Sequence, residues 1–233
     1  MDKGLTIFHG SQQIVEVPRF GVGKPYNDYG QGFYCTESIE LAKEWARPVK
    51  NNGFANRYLL RTEGLNIMQL TQGEFHILHW LALLLANRHF DINSPIGANA
   101  RDFILSHFLP SVARVDVIVG YRADDSYFSF AEDFVNNTIS LRDLNVAMRL
   151  GSLGQQVVLI SEKSFDCIEF QGFETADYHE YFYKRGARDK AARLDYATRK
   201  KNLDQVLGDV FILDIMRENM QNDDSRLRSI LSE

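Results

Sequence analysis

The apolar positions of this chain change period several times, and each change marks an element. Gly4 to Phe8 is partly β-branched and stops at His-Gly-Ser, which predicts a strand entering a tight turn. Residues 21–32 (GVGKPYNDYGQG) hold four glycines and a proline without any apolar period, and so predict a loop. Phe33-Tyr34-Cys35 then leads into Thr36-Glu37-Ser38, a helix start with acid in its first turn. Ile39, Ala42, Trp45, Ala46 and Val49 follow at helical spacing, predicting a helix over 38–50. Tyr58–Leu60 and Leu65–Met68 read as short strands.

Glu74–His89 is apolar on most sides in its middle and too long for a strand, which predicts a helix that is buried or faces a partner. Ala98–Leu109 predicts a second helix, and 125–135 and 139–150 two more. The near-continuous β-branching of Val115–Val119 and Gln156–Ile160 marks buried strands, and Cys167–Phe170 a last short one. After Gly172 the texture changes, and residues 175–233 contain no strand-like run and no proline. Lys184 to Lys201 carries eight basic residues against two acidic ones, so 175–233 reads as a helical extension, broken near Gly208.

Composition narrows the class. The chain has 233 residues with 45% hydrophobic and 24% charged, proportions of an ordinary soluble globular protein with one large core and an appendage. A net charge of −5 disfavours wholesale wrapping of nucleic acid. Cys35 and Cys167 are too few for a disulfide scaffold, which fits a reducing cytoplasm. The N-terminal MDKGLTIFHG lacks a signal-peptide pattern, and the longest apolar run, Trp80–Ala86, falls far short of the roughly 20 residues of a membrane span. The expectation is a cytoplasmic protein with no membrane partner.

Two clusters carry candidate chemistry. In Phe8-His9-Gly10-Ser11, a strand-end histidine can donate to a ligand hydroxyl, and the missing side chain of Gly10 lets a planar group reach the backbone; capping a turn is the bland alternative. In Asp28 to Thr36 (DYGQGFYCT), glycines flank Gln31, and Phe33 and Tyr34 face opposite ways, one for the core and one for a cleft; a β-turn with core aromatics is the bland alternative. Neither a Rossmann nor a Walker loop is present. Other groups rank below these. His76 and His79 lack a third metal ligand at known spacing, Asp124-Asp125 reads as a helix N-terminus, and Cys35 reads as a small buried residue.

Taken together, FHGS (8–11) and DYGQGFYCT (28–36) resemble the ADP-ribosyltransferase superfamily, in the His-Tyr branch that includes poly(ADP-ribose) polymerases and diphtheria toxin. A closer likeness is to a bacterial family within it that has a DFGxGFY-like loop and a later strand matching Gln155–Lys163 (QQVVLISEK). VDVIVGYRADD (115–125) is also similar to that family. The resemblance covers residues 4–62 and 112–171.

That resemblance implies an α+β fold, the split β-sandwich of ADP-ribosyltransferases, in residues 1–174. A helical insert would occupy about 70–110, and 175–233 would be the helical extension. It also implies NAD as co-substrate and a site made of His9, Gly10, Ser11, Asp28, Gly32, Tyr34 and Gln156, with no metal. His9 would bond a ribose hydroxyl, Gly10 would clamp the nicotinamide amide, and Tyr34 would stack on its ring, with His9 and Tyr34 in one cleft. The polymerising members carry glutamate where this chain has Gln156. A neutral amide orients a hydroxyl but takes no proton, so single transfer is favoured over chain growth, and Gln156→Glu is expected to retain or raise turnover. Glu162 stands next in line for that role.

The implied function is mono-ADP-ribosylation of a protein or nucleic-acid acceptor. As in a toxin–antitoxin or defence pair, an antitoxin-like protein would neutralise it. Two rivals are a non-catalytic NAD-binding or interaction module of the same fold, and an NAD glycohydrolase. The basic stretch reads as a solvated helix face or as a phosphate-facing surface for a nucleic-acid acceptor.

Overall fold

The computed structural model describes residues 4–46, 51–92, 94–123, 125–149, 154–201 and 208–232. The protein is α+β and divides into two compact units. The first comprises residues 1–69, 112–122 and 153–190, and the second 70–111, 123–152 and 191–233. The helices expected at 125–135 and 139–150 thus group with the helical insert and with the end of the chain.

The first unit holds two sheets. β1 (Gly4–Ser11), β3 (Gly53–Arg61) and β7 (Ile168–Ala176) form an antiparallel sheet in the order β1-β3-β7. β2 (Phe33–Cys35), β6 (Gln155–Leu159), β5 (Val117–Tyr121) and β4 (Ile67–Gln69) form the other in the order β2-β6-β5-β4, with β4 and β5 parallel. Alternate residues from both sheets supply the core: Ile7, Cys35, Tyr58, Leu60, Val117, Val119, Val157 and Leu159 are all buried, and Phe33 and Phe165 pack against them. α1 (Ile39–Trp45), capped by Ser38 through the N–H of Leu41, lies against β1. Residues 47–50 of the helix expected over 38–50 fall outside the described part.

Three strands run further than the apolar pattern predicted, because pairing rather than side-chain period extends them. β1 continues to Ser11 opposite Phe54, and β3 begins at Gly53, where a Cβ would meet that of Ala46 at 2.6 Å. β7 corrects the expected last strand over Cys167–Phe170: it runs on to Ala176, into the first residues of the stretch expected to be helical. A register shift between Arg57 and Tyr58 and a φ of +123° at Gly172 accommodate an extra residue, after which Phe173–Ala176 pair with Gly53–Asn56. The short α6 (Glu162–Asp166), which no periodicity announced, is capped by Ser161.

The second unit is helical: α2 (Ile77–Asn87), α3 (Pro95–Phe108), α4 (Asp125–Val135), α5 (Leu141–Arg149), α8 (Ile212–Arg217) and α9 (Ser225–Ser232). α2 buries every residue from Ile77 to Leu85, as its all-round apolar sequence requires. α3 starts at a Ser94 cap followed by Pro95 and buries Gly97, Ala100, Ile104 and Phe108, one stripe of the helix. α7 (Tyr178–Lys201) passes from the first unit into the second at residue 190. Among the described residues no helix is long and apolar enough to cross a membrane.

Candidate ligand-binding notch in the first unit

β1 and β2 meet at one described bridge, Phe8 with Thr36, whose reciprocal N–H to O bonds measure 2.7 and 2.9 Å. Continued in register, the bridge would pair Gly10 with Tyr34. No further pairing of β1 with β2 follows among the described residues, and the place where the ladder ends is the candidate notch. Which groups face it follows from alternation along an antiparallel strand. The amides and carbonyls of Phe8 and Thr36 are used in the bridge, so those of Gly10 and Tyr34, two residues away, point to the same side.

His9 spans the notch. Its Nδ1 lies 2.8 Å from the Tyr34 carbonyl oxygen; a carbonyl only accepts, so Nδ1 carries the proton and, in the neutral ring, Nε2 is left as an acceptor. Burial holds the His9 pKa below its ordinary value, although the bond to Tyr34 opposes that shift. The imidazole stacks on Phe33 at 4.4 Å with 30° between planes. Phe33 and Cys35 both turn toward the core, so the Tyr34 ring leaves the other face of β2. His9 and Tyr34 therefore meet through the Tyr34 main chain, with their rings on opposite faces of β2 rather than together in one cleft as expected; Gln156, which alternates with the core residues Val157 and Leu159, shares the face of the Tyr34 ring.

The hydroxyl of Tyr34 is anchored in the loop before it, donating to Gly30 O at 2.7 Å and accepting from the N–H of Tyr29 at 3.0 Å. The loop is further held by a Gly30 turn with φ +76° and by the Tyr29 hydroxyl on the carbonyl of Tyr121 at 2.5 Å. This places Asp28, only 4% exposed, beside Gln156, 5% exposed, whose Nε2 donates to Asp28 Oδ2 at 3.2 Å. The other end of that amide, Oε1, is buried with no hydrogen-bond partner among the described residues.

The remaining expected residues have local explanations. A Cβ on Gly10 would lie 2.0 Å from the carbonyl oxygen of Ala42 and 2.9 Å from Cβ of Trp45, so close packing of α1 already demands glycine there. Gly32 is demanded likewise by Leu159 O at 2.8 Å. The Ser11 hydroxyl closes its own turn, accepting from Gln13 N and donating to Gln13 O, both at 2.9 Å.

Sequence reasoning missed two residues around the notch. Asn56, fully buried opposite His9, accepts from Val15 N and donates to the carbonyls of His9 and Gln13, which pins the chain leaving β1. Its only sequence signal is an amide inside a strand, beside Arg57. Arg122 lays its guanidinium over the Trp45 ring, 4.6 Å from the centroid, while the Trp45 indole N–H is buried without a partner.

The lesser candidates fall outside the notch. Glu162 is exposed in the first turn of α6. Cys35 sits in the core, where burial pushes its thiol well up. His76 caps α2, accepting from Leu78 N and donating from Nε2 to Asn222 at 2.7 Å, while His79 Nδ1 accepts from His76 N. Asp124 and the side chain of Asp125 lie outside the described residues. In the basic stretch, Lys184 bonds Glu180 at 2.5 Å and Glu40 at 3.5 Å, and Arg188 pairs with Glu44 at 2.7 Å.

A family model described as "Protein of unknown function (DUF3990)" matches residues 5–170. The chain belongs to the DUF3990 family. The match begins in β1, ends within β7 and contains the whole notch, whereas α7 and everything after it lie outside. No curated protein and no solved structure matches the chain.

Proposed function

We propose that the first unit binds NAD at the notch and transfers a single ADP-ribose unit to a protein or nucleic-acid acceptor, releasing nicotinamide, on the split β-sandwich plan of the ADP-ribosyltransferases. The observation that carries the reading is the His9–Tyr34 bond at the place where the two sheets separate. It fixes the imidazole so that Nε2 accepts a ribose hydroxyl, while the Gly10 amide and carbonyl face the notch with the one-donor, one-acceptor edge that a carboxamide complements. The orphaned Oε1 of Gln156 fits a hydroxyl donor, as a dinucleotide's riboses supply.

Bound NAD brings its own cationic leaving group, so the chain's residues need only hold and orient it and exclude water. No group in the Gln156 amide can take a proton from an incoming hydroxyl, and the reading therefore stops at one unit. Nicotinamide release from NAD, with mass spectrometry of proteins and nucleic acids from cells making the chain, tests the proposal. Release accompanied by the ADP-ribose mass supports it, and release without it indicates a glycohydrolase. NAD binding without release indicates a non-catalytic module, the reading a neutral Gln156 favours. Whether an antitoxin-like protein silences the activity is a separate proposal, read out by the same assay with a candidate partner added.

A further inference from the structure

We propose that Asp28 is the positioning residue of the notch: its carboxylate holds the NH2 of Gln156 so that Oε1 is the end offered to a hydroxyl of the bound dinucleotide. This rests on the NAD reading above and says which feature of the dinucleotide is recognised. A glutamine amide has a donor end and an acceptor end of nearly the same shape, and an unrestrained one presents either. An ionised carboxylate accepts and cannot donate. At 3.2 Å from Asp28 Oδ2, the end facing Asp28 must be Nε2, and the end facing away must be Oε1.

Three features make the arrangement more than a chance surface contact. Both residues are almost wholly buried, at 4% and 5% exposure. Asp28 cannot swing away, because the next residue is tied to β5 by the Tyr29 hydroxyl and the loop is tied to β2 by the Tyr34 hydroxyl. Oε1 lacks a partner, and buried acceptors in folded proteins seldom do unless something else completes them. A hydroxyl donor completes this one.

The pair also accounts for glutamine at this position. With Asp28 ionised, the pair would carry one negative charge and offer one oriented acceptor, as a lone glutamate would. Glutamate at 156 would set two carboxylates against each other in a buried site, where they cannot both ionise at ordinary pH.

The test measures binding of NAD and of 2′-deoxy-NAD, lacking the nicotinamide-ribose hydroxyl, by calorimetry, together with KM and kcat for nicotinamide release and melting temperature. The proteins are wild type, Asp28→Asn, Gln156→Glu and Asp28→Asn/Gln156→Glu. Wild type is expected to prefer NAD at least tenfold, and Asp28→Asn, whose amide can face Gln156 with either end, to lose most of that preference. Because Asp28 faces it, Gln156→Glu is no longer expected to retain or raise turnover: it should melt lower, progressively so as pH rises from 5 to 8, and lose the preference. The double variant, with a donor now on residue 28, should recover both melting temperature and preference; it carries the test if Asp28→Asn alone does not fold. A wild type that binds NAD without preferring the hydroxyl overturns the role of Asp28 alone. So does an Asp28→Asn that keeps the preference, or a double variant no better than Gln156→Glu. A wild type that binds neither compound overturns the NAD reading and this inference with it.

Discussion

The imidazole of His9 donates from Nδ1 to the main-chain carbonyl of Tyr34 at 2.8 Å, occupying the place where a β-ladder would otherwise have continued. This bond engages Nδ1 and leaves Nε2 as the acceptor that the proposed function assigns to NAD. His9→Asn keeps a donor near the Nδ1 position and removes Nε2, so melting temperature should fall little while NAD affinity and nicotinamide release fall together. His9→Ala should in addition cost stability of about 1–2 kcal/mol, since it strands a part-buried carbonyl. Parallel melting and release measurements separate the two effects.

For Tyr34, the anchored hydroxyl alters which variant is informative. Tyr34→Ala removes the ring and also frees the loop that carries Asp28. Tyr34→Phe keeps the ring and removes only the bonds to Gly30 and Tyr29. It should destabilise the protein by about 1–2 kcal/mol in denaturant unfolding. If the ring contributes stacking, Tyr34→Phe should keep far more NAD affinity than Tyr34→Ala, which should lose about 1–3 kcal/mol.

Gly10→Ala is expected to be among the most damaging single changes in the first unit. The added methyl would lie 2.0 Å from a backbone oxygen of α1, and neither strand nor helix can yield without losing its own hydrogen bonds. A loss of about 1–3 kcal/mol or more, read as a lowered denaturation midpoint, is expected. Gly21→Ala, at an exposed position whose Cβ meets nothing but whose φ is +77°, should cost less. An unchanged midpoint in Gly10→Ala would show that β1 and α1 are not packed this closely.

Acid should weaken the second unit through His76 and His79. Burial, then the proximity of His79, lowers His76 to about 3; burial, then the Arg228 charge, lowers His79 to about 4. Both pKa values are depressed, so the neutral rings are the folded forms. Their contribution is complete above the unfolded value near 6.5 and is lost as pH falls from there toward 4. Denaturant midpoints measured from pH 7.5 to 4.5 should fall below pH 6.5. His79→Asn, which keeps an acceptor for the His76 N–H, should flatten that decline.

How much of this was readable beforehand depended on how local the cause was. The buried strands β5 and β6 and the helices α1, α2 and α3 were legible because β-branched runs and 3.6-residue spacing are properties of a few consecutive residues. The last residues of β1, the start of β3 and the end of β7 carry glycines, polar residues and a bulge; they are strands because a distant partner lies alongside. The notch shows the same division. His9, Gly10 and Tyr34 stand out by type and setting, and Asp28 and Gln156 only through the family resemblance; the contact between Asp28 and Gln156 joins positions 128 apart and no local pattern encodes it. Contacts with α1 and β6 also require glycine at 10 and 32, a cause that lies in distant residues and not in the local sequence.

Within its sheet, β2 is hydrogen-bonded to β6 alone, a strand more than a hundred residues later in the chain. On a ribosome adding about 5–20 residues per second, Tyr34 waits roughly 5–25 s before Gln156 has even been made. During that interval the nascent chain has neither the ladder that holds one wall of the notch nor the amide that would read the ligand. Synthesis therefore imposes a delay between the appearance of β2 and that of the strand it pairs with, and a chain stopped before residue 155 lacks that partner altogether.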